Sequence, residues 1–239
     1  MSQAIAPGAT VESREQVRLL LGEGGLHGRT LAGFEYVGLR IERARLDDTR
    51  FERMTLSDAL FSEVDLGRTR FLRVDLRNSR FDSAVLVDAM FDDVDLTEAI
   101  LAGVHAERVV FNRGMLSNVV LSGARLVDVV FTEVNLYGAK LDAATLVRCT
   151  FSDPRPHIGV ELTRASLKGA VLIDCDLRGA NLCRANLGSA LFVRCNLDGA
   201  QLTGAEATGT RLVACSTSGA DLPDLLRAQR AESPEGSRP

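Results

Sequence analysis

Four of the five cysteines recur at intervals of 20 or 26 residues: Cys149, Cys175, Cys195 and Cys215. Thiolates are common ligands of structural zinc, so this set is the first candidate for a metal centre. Spacing by one structural repeat would place the sulfurs along a single line, whereas zinc requires ligands around a tetrahedron. We therefore expect these cysteines to fill small buried positions of the core. The histidines show no spacing typical of metal ligands; they are His27, His105 and His157.

Residue patterns of common enzyme active sites do not occur in the chain. It contains no phosphate-binding GxxxxGK(S/T) loop, no dinucleotide-binding GxGxxG motif and no GxSxG nucleophile elbow. Catalysis also needs polar groups that converge in a concave pocket, whereas the repetitive pattern of the chain predicts a solid interior. The sequence therefore predicts a non-enzymatic protein that uses neither a cofactor nor a metal.

The composition restricts the class of protein further. The 239 residues carry a formal net charge of −4 with a pI near 5.5, which disfavours direct nucleic-acid binding because such surfaces are usually basic. No run of 18 apolar residues could cross a membrane. The first ten residues lack the basic and apolar regions of a signal peptide. We therefore expect a cytoplasmic protein with reduced thiols and no membrane partner.

A five-residue repeat dominates the chain and must position whatever surface residues act. From Leu31 to Phe151 every fifth residue is apolar, at all 25 positions, and the residue two places earlier is usually small, as at Ala44, Ala59 and Ala84. A period of five matches neither the 3.6 residues of a helical turn nor the alternation of a strand. Each unit must therefore turn a corner, with one large and one small side chain pointing inward.

The repeat units are grouped into coils of 20 residues. Similar segments begin at Leu126 and Leu146, 20 residues apart, so four sides of five residues make one coil. The next similar segment begins at Leu172, which is 26 residues after Leu146. We expect the six additional residues to form a loop within 152–161.

These patterns divide the chain into five parts: an N-terminal lead with a short capping helix (1–28), a first solenoid segment (29–151), a loop (152–161), a second solenoid segment (162–222), and a C-terminal helix with a disordered tail (223–239). The N-terminal helix is predicted over 13–21, with Ser13 as N-cap and Gly22 as the stop. It either covers the open edge of the first coil or forms a frayed end. The C-terminal helix is predicted over 223–231.

Six phenylalanines lie 20 residues apart: Phe51, Phe71, Phe91, Phe111, Phe131 and Phe151. Coils of this length would stack these rings in one column on a single side, which Leu177 and Leu197 continue. With neighbouring coils spaced like strands, about 4.8 Å apart, the chain forms a rod roughly 45 Å long. Its core is one continuous column built by nearest-neighbour stacking.

The units ANLCR at 180–184 and ANLGS at 185–189 resemble the A(D/N)LXX repeat of the pentapeptide-repeat family. The resemblance covers roughly 31–222 and implies an all-β fold, a right-handed quadrilateral β-helix with short terminal helices. The phenylalanine column, the proline-bearing loop and the short C-terminal helix are similar to the branch of Qnr-type and topoisomerase-poison self-resistance proteins. That branch implies a rod-shaped DNA mimic that binds DNA gyrase or topoisomerase IV and forms a homodimer through its C-terminal end.

Acidic residues form the first candidate surface. Seven acids and no Lys or Arg occur between Asp82 and Glu107, and Asp75 and Asp95 are one coil apart, so they are expected to stack. The residues expected to contact a cationic partner, here named the acidic band, are Asp75, Asp82, Asp88, Asp92, Asp93, Asp95 and Glu98. They either stand in for phosphates or form a solvated face that keeps the rod soluble.

Apolar rows and the loop form further candidate surfaces. One outward apolar residue per coil gives the valine stripe, which consists of Val147, Ile173, Val193 and Val213. A second outward row consists of Met90, Val110 and Val130. Such rows either mark a partner or dimer surface or reflect the preference of strands for branched residues. The loop residues Pro154, Arg155, Pro156 and His157 either contact a partner or belong to a tolerated insertion.

Two functions from different classes follow. The first is a protector or inhibitor of type II topoisomerase that gives resistance to a topoisomerase poison. The alternative is a generic pentapeptide-repeat scaffold for structure or interaction, with no topoisomerase target. Seven phenylalanines at the large inner position between Leu31 and Phe131 favour the resistance branch in the first half of the chain, whereas the leucine-rich second half is typical of a scaffold.

Overall fold

The structure is a computed structural model, and it describes residues 10–23, 25–154, 159–224 and 226. One helix, α1, spans Arg14–Glu23. The strands that follow have three residues each: β1 Thr30–Ala32, β2 Arg40–Glu42, β3 Arg50–Glu52, β4 Leu60–Ser62, β5 Arg70–Leu72, β6 Val85–Val87, β7 Met90–Asp92, β8 His105–Glu107, β9 Val110–Asn112, β10 Arg125–Val127, β11 Val130–Thr132, β12 Thr145–Val147, β13 Thr150–Ser152, β14 Val171–Ile173, β15 Leu191–Val193 and β16 Arg211–Val213.

Parallel pairing between successive coils generates the fold. Strands in the order β1-β3-β5-β7-β9-β11-β13 form one seven-stranded sheet, here called the phenylalanine face. Strands in the order β6-β8-β10-β12-β14-β15-β16 form a second sheet, the valine face, and β2 pairs with β4. The register joins Phe51 to Phe71 and Leu126 to Leu146, one coil apart. The predicted all-β quadrilateral solenoid with about 20 residues per coil is confirmed.

The corners of the coil explain the period of five. Successive corner residues adopt the left-handed region of backbone conformation, with φ of 51° at Arg43, 61° at Asp48, 49° at Arg53 and 59° at Asp58. An L-residue pays a steric cost in this conformation, so the turn is maintained by the packing on either side. Because each corner redirects the chain after five residues, the two inner side chains of every unit point to the axis.

The core consists of stacked side chains. The six predicted phenylalanines form one continuous stack, in which neighbouring ring centroids lie 4.8–5.2 Å apart, so the predicted column is confirmed. Phe61 and Phe81 form a shorter stack with centroids 5.0 Å apart. Polar residues at the small inner position are satisfied: the Thr69 hydroxyl donates to the Leu46 carbonyl over 2.7 Å. Hydrogen bonding thereby removes the cost of burying a hydroxyl.

The second solenoid segment is displaced in register from the first. Leu146 pairs with Leu172, and Asn135 bridges to Glu161, so both pairings span more of the chain than the pairings between earlier coils. The additional residues lie between Ser152 and Glu161, and Pro154 is exposed. Of the predicted loop contacts, Arg155, Pro156 and His157 lie outside the described residues.

Helix α1 packs on the first coil. The Ser13 hydroxyl accepts a hydrogen bond from the Gln16 amide over 3.3 Å, as expected of an N-cap. Val17 and Leu20 are buried in the core. Val11 bridges to Leu31, which extends the parallel pairing beyond the first coil.

The predicted end of this helix is wrong. Helix α1 continues through Gly22 to Glu23. The amide of Gly25, at φ 123°, donates to the Leu20 carbonyl over 2.9 Å. A bond from residue i to i−5 is the closing bond of the Schellman motif, so the chain ends the helix with a later glycine than the predicted one.

The C-terminal end is described as far as residue 226. The Leu226 amide donates to the Pro223 carbonyl over 2.9 Å, and Leu222 and Leu226 are buried. The remainder of the helix predicted over 223–231 lies outside the described residues. Within the described ranges, no helix combines the length and the apolar character that crossing a bilayer requires.

Candidate protein-interaction surfaces

The aspartates of the acidic band are paired with arginines. The nitrogen–oxygen distances are 2.6 Å for Asp75–Arg77, 3.0 Å for Asp82–Arg80, 2.6 Å for Asp88–Arg108, 2.6 Å for Asp92–Arg113, 3.5 Å for Asp93–Arg73 and 3.8 Å for Asp95–Arg77. Glu98 makes no ion pair with any residue that the structure describes, and it is exposed. The band is therefore a surface of mixed charge, with a weaker field than its acidic residues alone would produce.

Coil stacking supplies the arginines that the chain segment lacks. No Lys or Arg occurs between residues 82 and 107, yet Arg73 comes from the preceding coil, and Arg108 and Arg113 come from the following coil. Sequence reasoning missed these pairs because it compared charges along the chain and not between coils. The spacing of one coil between the partners was the available signal.

Asp75 and Asp95 stack as predicted, since they form a parallel bridge between neighbouring coils. Arg77 contacts both carboxylates, and hydrogen bonds from its side chain lower the pKa of Asp75. The Arg77 amide also donates to Asp75 Oδ1 over 3.0 Å. This arginine therefore reduces the like-charge repulsion of the stacked pair.

A ladder of alternating charge follows the corner between the valine face and the phenylalanine face. We name it the charge ladder, and its members are Asp48, Arg68, Asp88, Arg108, Asp128, Arg148, Asp174 and Arg194. Each arginine binds the preceding aspartate with two hydrogen bonds of 2.6–3.0 Å. Bidentate arginine–carboxylate pairs are the geometrically most specific ion pairs. The ladder was not anticipated, although its members recur once per coil in the sequence.

The ladder shifts the protonation of its carboxyl groups. Hydrogen bonds from Arg68, Arg108, Arg148 and Arg194 hold the pKa of Asp48, Asp88, Asp128 and Asp174 below the usual value of 3.8. The aspartates are therefore ionised at neutral pH. Because the side chains are exposed, each pair contributes little to the free energy of unfolding. The main effect of the ladder is therefore the regular pattern of charge that it gives to the surface.

An open groove of about 520 Å³ crosses four coils beside the phenylalanine face. The buried side chains of Met54, Val74 and Val94 lie at its base. Charged residues of both signs line its sides: Arg53, Arg73, Arg77, Arg113, Asp75, Asp93 and Asp95. The repeat pattern predicts a solid rod without a concave pocket, so this surface groove was not expected. The open, mixed-charge form of this groove is suited to docking against another protein surface.

One histidine belongs to a charged cluster that its sequence spacing did not reveal. His27 Nδ1 lies 3.0 Å from Asp47 Oδ1, and Asp48 is adjacent. Arg45 and Arg68 contact the other oxygen of Asp47 at 3.2 and 3.6 Å. Burial acts to raise the pKa of Asp47, but hydrogen bonding from Arg45 and the charges of His27 and Arg45 together lower it. Because two guanidinium groups already balance the two carboxylates, the cluster is a salt-bridge network and not a cation site.

The valine stripe forms a continuous outward row on β12, β14, β15 and β16. The register joins Val147 to Ile173, Ile173 to Val193 and Val193 to Val213. Val213 is 39% exposed and the others are half-buried. The second apolar row is also continuous: Met90 pairs with Val110, which pairs with Val130.

The cysteine column lies at small inner positions, as predicted. Cys149, Cys175 and Cys195 are buried, and Cys215 in the last complete coil is half-buried. Each thiol donates to a backbone carbonyl, as Cys195 does to Leu172 over 3.4 Å. Hydrogen bonding to the preceding cysteine, together with burial, raises the pKa of Cys175 and Cys195 to about 12. The thiols of Cys175 and Cys195 are therefore unreactive packing residues, whereas a hydrogen bond with the Cys175 thiol lowers the pKa of Cys149.

The fold defines the class as a parallel β-solenoid built from four-sided coils. The family description "Pentapeptide repeats" matches eight copies within 59–97, 116–153, 161–199 and 184–216, more than half of the chain. The chain belongs to the pentapeptide-repeat family. The comparison with curated proteins found no match.

Two solved structures are similar to the chain to different degrees. Full-length QnrB1, described as a plasmid-mediated fluoroquinolone resistance protein, is 21% identical, with a TM-score of 0.53; the match covers 77% of this chain and 93% of QnrB1. HetL, a pentapeptide repeat protein involved in heterocyst differentiation regulation in the cyanobacterium Nostoc sp. strain PCC 7120, is 20% identical, with a TM-score of 0.31; the match covers 87% of this chain and 94% of HetL. At these identities the likeness to QnrB1 establishes the fold alone.

Proposed function

We propose that the protein is a non-enzymatic, protein-binding rod that protects a type II topoisomerase, DNA gyrase or topoisomerase IV, from a topoisomerase poison. The observation that carries this proposal is an interior filled by stacked side chains, with ordered charges on the outer corners. A filled core leaves recognition to the surface. The fold likeness to a fluoroquinolone resistance protein, which covers most of that protein's length, supports this target. A cytoplasmic location is part of the proposal, because it is where such a partner acts.

The acidic band is the proposed contact with the cationic DNA-binding surface of the enzyme. Asp88, Asp93 and Glu98 are its exposed members. The arginines beside the aspartates weaken the electrostatic field of the acidic band at long range. The band therefore contributes less to the association rate than to the orientation of the bound enzyme. We assign specificity to the positions of the carboxylates on the rigid coils.

The valine stripe and the loop are the proposed secondary contacts. The stripe presents an apolar row bordered by the charge ladder, an arrangement suited to a protein surface. Pro154 marks the exposed start of the loop, which would reach a neighbouring part of the enzyme. Replacing Val193 and Val213 by Lys should lower the affinity for the topoisomerase without altering the fold.

The decisive experiment is a supercoiling assay with purified gyrase and a fluoroquinolone. The wild-type protein should restore supercoiling in the presence of the drug. Reversal of Asp92, Asp93, Asp95 and Glu98 to Lys should abolish this protection while the far-ultraviolet circular dichroism stays unchanged. The matched control reverses Asp128, Asp142, Asp174 and Asp198, which changes the net charge equally on other coils, and it should still protect.

The outcomes separate mechanism from target. Protection that survives the first reversal contradicts the electrostatic contact, whereas loss in both variants would indicate a response to net charge alone. A wild-type protein that protects neither gyrase nor topoisomerase IV contradicts the topoisomerase target. The second candidate, a general interaction scaffold, would then remain, and the neutralising ion pairs of the acidic band are the observation that favours it.

A further inference from the structure

Two charged corners border the phenylalanine face. One is the charge ladder. The other carries one residue per coil and is here named the Arg53 corner; its members are Arg53, Arg73, Asp93, Arg113, Glu133 and Asp153. The two corners differ in pattern, because charges alternate along the ladder but not along the Arg53 corner. Arg73 pairs with Asp93 of the next coil at 3.5 Å, but each end of the Arg53 corner carries two consecutive charges of one sign.

These consecutive like charges have opposite signs at the two ends of the face: Arg53 and Arg73 are basic, and Glu133 and Asp153 are acidic. Among the residues that the structure describes, Arg53 and Glu133 make no side-chain ion pair, and both are exposed. Arg50 and Arg70 stand opposite each other on β3 and β5, and they likewise have no ion pair in the described ranges. Like charges placed opposite each other on a sheet are destabilising. The face is therefore cationic near its first coils and anionic near β11 and β13.

We propose that a second copy of this chain binds antiparallel on the phenylalanine face, with the two-fold axis between the coils of Phe91 and Phe111. This axis lies in the interface plane, at right angles to the rod. It therefore places each corner of one copy against the same corner of the second copy, with the coils in the opposite order. In this register Arg53 lies opposite Asp153 of the second copy, Arg73 opposite Glu133, and Asp93 opposite Arg113. All three combinations join opposite charges.

The same axis also places opposite charges of the two charge ladders against each other. Asp48 lies opposite Arg148 of the second copy, Arg68 opposite Asp128, and Asp88 opposite Arg108. At the centre of the interface one of the two outward rows is apolar, since Met90, which is 39% exposed, meets Val110 of the second copy. The other row sets Asp92 opposite Asn112 of the second copy. An apolar row between charged corners suits a protein interface.

Other registers are unfavourable. Moving the axis by half a coil places like charges of the ladder opposite each other. Moving the axis by a full coil again places opposite charges of the ladder against each other. A shift toward the first coils, however, sets Arg53 against Arg113 of the second copy, and a shift toward the later coils sets Asp93 against Asp153. Opposed like charges disfavour wrong pairings. The two corners together therefore specify one alignment.

The expected dimer is weak and sensitive to salt. The face is three residues wide, so the buried area belongs to the class of transient interfaces. Exposed ion pairs at the rim are screened by salt. Sedimentation velocity on the full chain should show a concentration-dependent rise in mass toward the dimer, and high salt should reverse it in the unaltered protein.

Two complementary variants test the register. The acidic variant carries Arg53→Glu and Arg73→Glu, and the basic variant carries Glu133→Arg and Asp153→Arg. Each should self-associate at least about tenfold more weakly than the wild type. An equimolar mixture should recover a heterodimer, because every repulsive contact in either homodimer becomes attractive between the two variants. The control matched to the acidic variant is Lys140→Glu with Arg184→Glu. It makes the same charge change away from this face and should associate like the wild type.

Four results would overturn the proposal. A wild-type chain that remains monomeric at every concentration excludes the interface. A dimer that persists in both variants uses another surface, such as the C-terminal end or the valine stripe. Variants that are folded by circular dichroism yet fail to associate when mixed exclude the antiparallel register. If a variant does not fold, the salt titration of the wild-type chain still decides the matter, since a dimer that is insensitive to salt contradicts a charged rim.

Discussion

Single inner side chains carry the stability of this protein. Each of the four phenylalanines inside the column contacts rings in the coils before and after it, with centroids 4.8–5.2 Å apart. A ring removed from the middle of the column leaves a cavity that the rigid neighbouring coils cannot fill. Cavities that cannot collapse are the most destabilising outcome of core truncation.

Phe111→Ala should therefore lower the free energy of unfolding by about 3–5 kcal/mol, measured by urea denaturation. Phe111→Leu serves as the control and should lose less, because leucine occupies the equivalent position in three other coils, at Leu31, Leu177 and Leu197. A negligible loss for the alanine variant would mean that the assignment of inner and outer positions is inverted.

At the scale of the five-residue element, the corner sets the geometry. Gly123 has φ of 67° and Ala143 has φ of 55°, and they occupy the same corner in neighbouring coils. A Cβ added at Gly123 would meet no atom within 4 Å. A side chain at Gly123 would therefore meet no neighbouring atom, and only the backbone conformation would oppose it.

We expect Ala143→Gly to raise the free energy of unfolding by up to about 1 kcal/mol, and Gly123→Ala to lower it by about 1 kcal/mol. Ala102→Gly is the control: Ala102 is exposed and precedes the left-handed Gly103 but does not itself have positive φ, so the change should be destabilising. Thermal or chemical unfolding of the three variants gives the comparison. Equal signs for the two alanine-to-glycine changes would contradict the role assigned to the corner.

The charge ladder predicts a dependence of stability on pH. The ladder aspartates have a pKa below the usual 3.8 in the folded state. Their contribution is therefore complete above about pH 4 and is lost as the pH falls through the lowered pKa. The difference in thermal midpoint between the wild type and Arg108→Gln should be largest near neutral pH and shrink in acid. Arg184→Gln, at an exposed corner without an ion pair in the described ranges, should show no such trend.

At the scale of the whole molecule, each coil contacts only its neighbours, so distant changes should act independently. Phe71→Ala and Phe192→Ala lie several coils apart, and their losses of unfolding free energy should add within about 0.5 kcal/mol. Phe71→Ala and Phe91→Ala remove rings that are 4.8 Å apart, and their losses should not add. Equilibrium unfolding of the single and double variants provides both comparisons. Additivity in both pairs would contradict a continuous ring stack.

The acidic band and the proposed dimer interface on the phenylalanine face share residues. Asp92 and Asp93 belong to the acidic band and lie on or beside the phenylalanine face. Self-association on that face would therefore compete with partner binding. The concentration of the protein would then influence how much of the acidic band is accessible.

Much of the fold could be predicted because its signals are local and repeated. The inner phenylalanines, the coil length and the displacement between Leu146 and Leu172 all follow from side-chain type and spacing. The helix end could not be placed, because several glycines lie close together and hydrogen bonding to Leu20 selects among them. The candidate surfaces were located only by composition, since four of the six paired aspartates of the acidic band contact arginines of other coils.

By itself the sequence determined which side chains face inward, since a period of five with a large and a small apolar residue permits only a cornered coil. The tertiary structure decided which charges meet. Ion pairs such as Asp88–Arg108 join residues of successive coils, and their distances depend on the closure of each coil. Coulombic interactions depend on separation in space, which chain order specifies only after the coils have closed and stacked.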